Sequence, residues 1–156
     1  MNTQILLTSL KEQNINLDLL IEVLETQKRA IVQNDYTALE KALSSEQKIL
    51  GRVEKEENTR LKIVKEIAGQ FSVELKENSL DNLMKAFKTN PNINKHFSTG
   101  LAELEEVRSS IKEKLILLSR KNSQLKGLIE FSRSMIKETI MMLVGPNKRA
   151  LVNKRV

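Results

Sequence analysis

Residues 97–146, FSTGLAELEEVRSSIKEKLILLSRKNSQLKGLIEFSRSMIKETIMMLVGP, decide the fold. Phe97, Leu101, Leu104, Arg108, Ile111, Leu115, Leu118, Asn122, Leu125, Ile129, Ser132, Ile136, Ile140 and Leu143 recur mainly at alternating spacings of four and three. That rhythm keeps one row of side chains on one helix face and is the spacing of a coiled-coil seam. No proline interrupts it before Gly145-Pro146. It predicts one rod of about 45 helical residues, roughly 65–70 Å long.

The same rhythm extends upstream. Leu6, Leu10, Gln13, Leu17, Leu20, Leu24, Gln27 and Ile31 form a first seam between Thr3 and about Gln33. Asn34-Asp35-Tyr36-Thr37 then breaks the helix, with Asp35 or Thr37 as N-cap of the next. Leu39, Leu43, Glu46, Leu50, Val53, Glu57, Arg60, Val64 and Ala68 make a second seam, and Gly69 offers a C-terminal stop. Between Gln70 and Phe97 the periodicity weakens; Ser79 is placed to cap a short helix carrying Leu80, Leu83, Met84 and Phe87. The run Thr89-Asn90-Pro91-Asn92 reads as a turn.

These segments predict an all-α fold, an antiparallel helical bundle of three long helices plus a short helix with coiled-coil-like packing. Residues 1–145 are expected to form a single domain, and residues 146–156 a flexible basic tail. Coiled-coil dimerisation is the competing use of the heptads, so the chain is expected as a monomer or a dimer. The breaks at Asn34-Asp35 and Gly145-Pro146 favour hairpin-length segments folding on one another.

Composition agrees. The 156 residues suit one core, and 40% are hydrophobic, yet there are four Phe, one Tyr and no Trp. Burial must therefore come from aliphatic seams between slender elements. The absence of cysteine rules out disulfides and thiolate sites and fits a reducing compartment. Met1-Asn2-Thr3-Gln4 lacks a charged, then apolar leader, and no apolar run approaches a membrane span. A cytoplasmic protein without membrane insertion is the expectation. The net charge of +6 is uneven: residues 112–156 carry eleven Lys or Arg against three Glu, the rest fifteen against seventeen acids. A basic C-terminal third makes nucleic acid, an anionic surface or an acidic protein the partner classes to weigh.

Catalytic chemistry is missing. His96 is the sole histidine and sits beside the expected turn, where a surface residue is the simple reading. Glu22 and Glu25 form a Glu-x-x-Glu pair, but a di-iron bundle needs a Glu-x-x-His motif on each of two helices. They read as a solvated face. No glycine-rich phosphate loop exists, so the chain is expected to be no enzyme and to hold no metal or cofactor.

Two features are specific. Glu57, Arg60, Arg108 and Asn122 interrupt otherwise aliphatic seams, which marks them as register-setting positions. Between Leu125 and Leu143 the apolar face widens: beside the seam, Leu128, Phe131, Met135 and Met142 form a second stripe about 110° round the helix. Three of the five methionines, Met135, Met141 and Met142, fall here, with Lys126, Arg133 and Lys137 among them. Methionine adapts its shape and is over-used on surfaces that accept partners. Leu125, Leu128, Phe131, Met135, Met141, Met142, Lys126 and Arg133 are therefore the candidate partner-binding set. The alternative is that the Leu80–Phe87 helix covers the second stripe as ordinary core.

The arrangement resembles the FlgN family of flagellar type III export chaperones. The resemblance rests on the Leu- and Glu-rich segment Leu17 to Ile31, on Glu57-Asn58-Thr59-Arg60-Leu61, and on Arg120-Lys121-Asn122-Ser123-Gln124-Leu125 followed by Leu128, Phe131 and Ile136. It implies an α-bundle that binds helical C-terminal segments of flagellar hook-associated (hook–filament junction) proteins. Such chaperones keep their clients export-competent and deliver them to an export-gate component, and their final helix contributes to binding. A tyrosine late in the chain docks some members at the gate; here the only tyrosine is Tyr36, so that role carries over to no residue. The competing functions are a nucleic-acid or anionic-surface binder using the basic third, and a coiled-coil scaffold. Nucleic acid is not expected, because the cations are interleaved with Leu, Ile and Met and only Phe131 is near to stack a base.

Overall fold

In the computed structural model the described residues are 2–77 and 79–144, without the side chains of residues 2, 93 and 96–99. They form four helices: α1 (Asn2–Val32), α2 (Tyr36–Gln70), α3 (Leu80–Thr89) and α4 (Pro91–Val144). The expected tail, 146–156, lies outside the described residues, as does the side chain of His96.

Local chemistry explains the breaks. After α1, Asn34 takes a positive φ of 53°, and its N–H and that of Asp35 return to the carbonyls of Ile31 and Ala30. This paired closure satisfies the last carbonyls of a helix, and asparagine tolerates the left-handed conformation it requires. Asp35 then caps α2, its carboxylate accepting from the Ala38 N–H at 3.0 Å. The end of α2 repeats the closure with Ser72 at φ 52°, its N–H and that of Val73 bonding to Gly69 and Ala68. Gly69 is thus not the stop: α2 continues to Gln70 and a serine takes the left-handed turn.

Ser79 caps α3 as expected, accepting from the Asn82 N–H at 3.2 Å. The expected turn at Thr89–Asn92 contracts to Asn90, whose side chain accepts from the Asn92 N–H at 3.1 Å. Pro91 opens α4, a position where its missing N–H costs nothing. The last helix is therefore 54 residues long, about 81 Å, longer than the heptads alone predict.

Polar pairs fix the directions. Ser9 donates to Glu56 (3.0 Å) and Gln27 to Glu46 (2.7 Å), so α2 runs antiparallel to α1. Ser110 donates to Asn14 (3.2 Å), Lys114 to Asp18 (2.8 Å) and Lys121 to Glu25, each across 96 residues. α4 is consequently parallel to α1 in one constant register. Helix α1 packs on both α2 and α4, whereas α2 and α4 make no close backbone approach. They stand on either side of α1 with a cleft between them.

Two buried clusters hold the helices. Leu6, Leu7 and Leu10 of α1 meet Ile63, Val64 and Ile67 of α2, Leu104 of α4 and the α3 residues Leu80, Leu83, Met84 and Phe87. Farther along, Leu17, Leu20 and Leu24 meet Ile49, Leu118 and Leu125. On α2 the expected seam is buried only toward its end, at Val64 and Ala68; in the first half Ala42 and Ile49 are buried, while Leu43 and Leu50 are shifted one position round and exposed. An apolar row belonging to the cleft lies beside the row belonging to α1, and spacing alone does not separate them.

Candidate functional site

Beyond Leu128 the constant 96-residue register carries α4 past Val32, where α1 ends. Ile129, Ser132, Arg133 and Ile136 still border the α1–α2 turn, lining a cavity of about 250 Å³ with Ile31, Tyr36, Leu39 and Leu43. The buried clusters reach no farther along α4 than Leu125. Of the sequence-derived set, Leu125 is buried, and Leu128 and Met141 are half-buried. Phe131 is 63% exposed, Met135 49% and Met142 84%, with Lys126 and Arg133 also in solvent.

Helix α3 does not cover this stretch. It packs at the opposite end of the bundle against Leu6, Val64, Ile67 and Leu104. The expected seam itself is left open here, since Ile129, Ile136, Ile140 and Leu143 are exposed along with the second stripe. A helix apolar on more than one face and buried on none, among the described residues beyond Leu128, is a surface suited to being covered by something else.

The cleft continues from this surface toward α3. Its far part is a cavity of about 590 Å³, floored by Leu10, Gln13 and Leu17 of α1 and walled by Val53, Glu57 and Arg60 of α2 and by Arg108, Ile111, Lys112 and Leu115 of α4. The cap Ser79 and the first residues of α3, Leu80 to Asn82, close it at one end.

The four expected register positions have different fates. Arg60 donates to Glu57 within the same helix, a pairing that holds the Glu57 carboxyl below its usual range and bridges no two helices. Arg108 does bridge: it pairs with Asp81 of α3, lowering that carboxyl and raising its own guanidinium. Lys88 of α3 pairs with Glu105 of α4 beside it, and its hydrogen bond holds Glu105 low. Asn122 is exposed, and its side chain bonds to no described residue. The inter-helix register instead rests on Asp18–Lys114 and Glu25–Lys121. Glu25, expected on a solvated face, is held by α4, and the Lys121 hydrogen bond lowers its pKa. Two acid–base pairs seven residues apart at one constant offset were the signal in the sequence.

No group of three His, Asp or Glu side chains among the described residues is placed to hold a metal, and no described helix is long and apolar enough to cross a membrane. Compared with known families, residues 1–153 match the sequence model described as FlgN protein. No curated protein and no solved structure matches the chain.

Proposed function

The chain belongs to the FlgN family, flagellar export chaperones that bind hook-associated proteins, and we propose that it captures the helical C-terminal segments of those clients on the free end of α4. Capture keeps the segments apart and export-competent until delivery to the export apparatus. One observation carries the reading. From Leu128 to Leu143 the helix is apolar over more than one face, with Phe131, Met135 and Met142 in solvent and no described element packed on them. An amphipathic client helix would lay its own apolar stripe there, the helix-in-groove mode of recognition. Lys126 and Arg133 flank the stripe and favour a client with acidic neighbours to its apolar residues.

The family resemblance supports a client from the hook–filament junction, and with only Tyr36 available no residue is assigned to gate docking. The test is calorimetric titration with synthetic peptides spanning the C-terminal segments of the cell's own hook-associated proteins. The unaltered chain should bind at least one of them, and Phe131→Ser with Met135→Ser should remove that binding. Undiminished affinity in the double variant, with the helical content intact, would overturn α4's free end as the capture surface.

A further inference from the structure

The cleft has the shape of a four-helix bundle from which most of one helix is missing. Helices α1, α2 and α4 occupy three corners, with α2 and α4 both against α1 and apart from each other. The fourth corner is filled at one end only, by the ten residues of α3, which touch both α2 and α4. Where α3 is present, the rows facing that corner are covered: Val64 of α2 is buried, and Leu101 and Arg108 of α4 are half-buried. Where it is absent, the residues following in the same heptad rows are exposed: Leu50 and Leu43 on α2, Leu115, Ile129 and Ile136 on α4. The unfilled length runs from Glu57 to Leu39 on α2, about 27 Å, the length of roughly 18 helical residues.

Charge identifies what fits. Each α4 cation turned toward a neighbouring helix has an acid there: Arg108 with Asp81, Lys114 with Asp18, Lys121 with Glu25. On the rim facing α3, Glu105 pairs with Lys88. Steps of seven from Glu105 reach Lys112, then Lys126 and Arg133; none of these three makes an ion pair with a described acid, though Lys112 is near enough to Asp81 to help lower its carboxyl. The opposite rim, on α2, carries Glu54 and Glu40, likewise exposed and without an ion pair among the described residues.

We propose that the open length of the α2–α4 cleft is the seat of one amphipathic partner helix, lying end to end with α3, apolar toward α1, acidic along its α4 flank and basic along its α2 flank. The inference rests on the chaperone reading and deepens it: the client enters the core of the bundle and does not merely lie on the free end of α4. With the helix seated, Leu43, Leu50, Leu115, Ile129 and Ile136 are covered as Val64 and Leu101 of the same rows already are beside α3.

The test uses fluorescence anisotropy with the hook-associated peptides, labelled, and three variants of the full chain. Leu50→Glu and Leu115→Glu place a charge inside the cleft at positions already half in solvent, and both should weaken binding at least tenfold with the melting temperature little changed. The triple variant Lys112→Glu, Lys126→Glu, Arg133→Glu stands on the rim, so it tests the cleft even if a wall variant folds poorly. It should weaken binding similarly, and exchanging the acids on one peptide flank for Lys should restore it. Full affinity in the wall and rim variants, with binding still lost in the Phe131→Ser, Met135→Ser chain, overturns the cleft and leaves the chaperone reading standing. Failure of the unaltered chain to bind any such peptide overturns the reading itself. A cleft filled by a second copy would show as a dimer in sedimentation that Leu50→Glu dissociates and peptide does not, and this too overturns the partner helix.

Discussion

The two ends of the bundle are built from the same heptads and the same aliphatic residues, yet one is closed and the other open. At the closed end α3 lies against α2 and α4, and Phe87, Leu83, Leu6, Leu104, Val64 and Ile67 are all but removed from solvent. At the open end Leu43 and Leu50, in the heptad row of Val64, and Leu115, Ile129 and Ile136, in the row of Leu101 and Arg108, remain exposed. Propensity does not separate them; both ends are regular helix. The difference is one ten-residue helix. An apolar row in a long helix therefore records that a neighbour is required, and only the assembled fold shows whether the chain supplies that neighbour itself.

The comparison can be broken hardest at the closed end. Phe87→Ala removes a fully buried ring from the centre of the larger cluster and should cost about 3–5 kcal/mol, detaching α3. A midpoint shift in urea smaller than about 1 kcal/mol would mean that α3 is not held as described. A sharper version lies within two adjacent residues of α2. Ile49 is 7% exposed and Leu50 46%. Ile49→Ala should cost about 2–4 kcal/mol and Leu50→Ala less than about 1. Equal losses would show that the two rows are not divided between α1 and the cleft.

That same pair marks where the sequence stops being legible. The strict four-three count selects Leu43 and Leu50 as the α2 seam, whereas the helix buries Ala42 and Ile49. A helix flanking a cleft carries two adjacent apolar rows, and periodicity cannot say which one its own chain will cover. Four helices and their caps at Asp35 and Ser79 were readable because caps act through the nearest few residues. The docking place of α3 was not, since the apolar face of a short helix fits either end of the same bundle. The candidate residues on α4 were readable as a double stripe; their exposure depended on that docking. The cleft went unread because its walls come from two helices, α2 and α4, far apart in the chain.

Acid should loosen the closed end by a smaller amount. Arg108 holds the Asp81 carboxyl below its usual value, so the folded state binds that proton less readily than the unfolded chain. The stabilisation is complete above the ordinary aspartate range and is lost as pH falls through the lowered folded value. Asp81 is about half exposed, which limits the pair to at most about 1 kcal/mol. Asp81→Asn should therefore lower stability slightly near neutral pH and flatten its decline below about pH 4. An unchanged acid limb would remove this pair from the account of how α3 is held.

The smallest expected effect is the most informative about the open end. Phe131 and Met135 project from α4 beyond the last buried cluster, where the free chain has no described neighbour to lose. A side chain that is equally hydrated before and after unfolding contributes little to folding, whatever its hydrophobicity, because the driving force scales with apolar area removed from water. Phe131→Ser with Met135→Ser should therefore shift the stability of the free chain by no more than about 0.5 kcal/mol, the range of ordinary surface substitutions. At the closed end the same chemical change, a buried aromatic exchanged for a small side chain, costs several times more. Thermal melting of the free double variant thus reads the comparison without any client present. A loss of about 2 kcal/mol or more would mean that these side chains are already covered in solution, by residues of the same chain or of another copy. The end of α4 would then be core, and the surface proposed for client capture would not exist in the free protein.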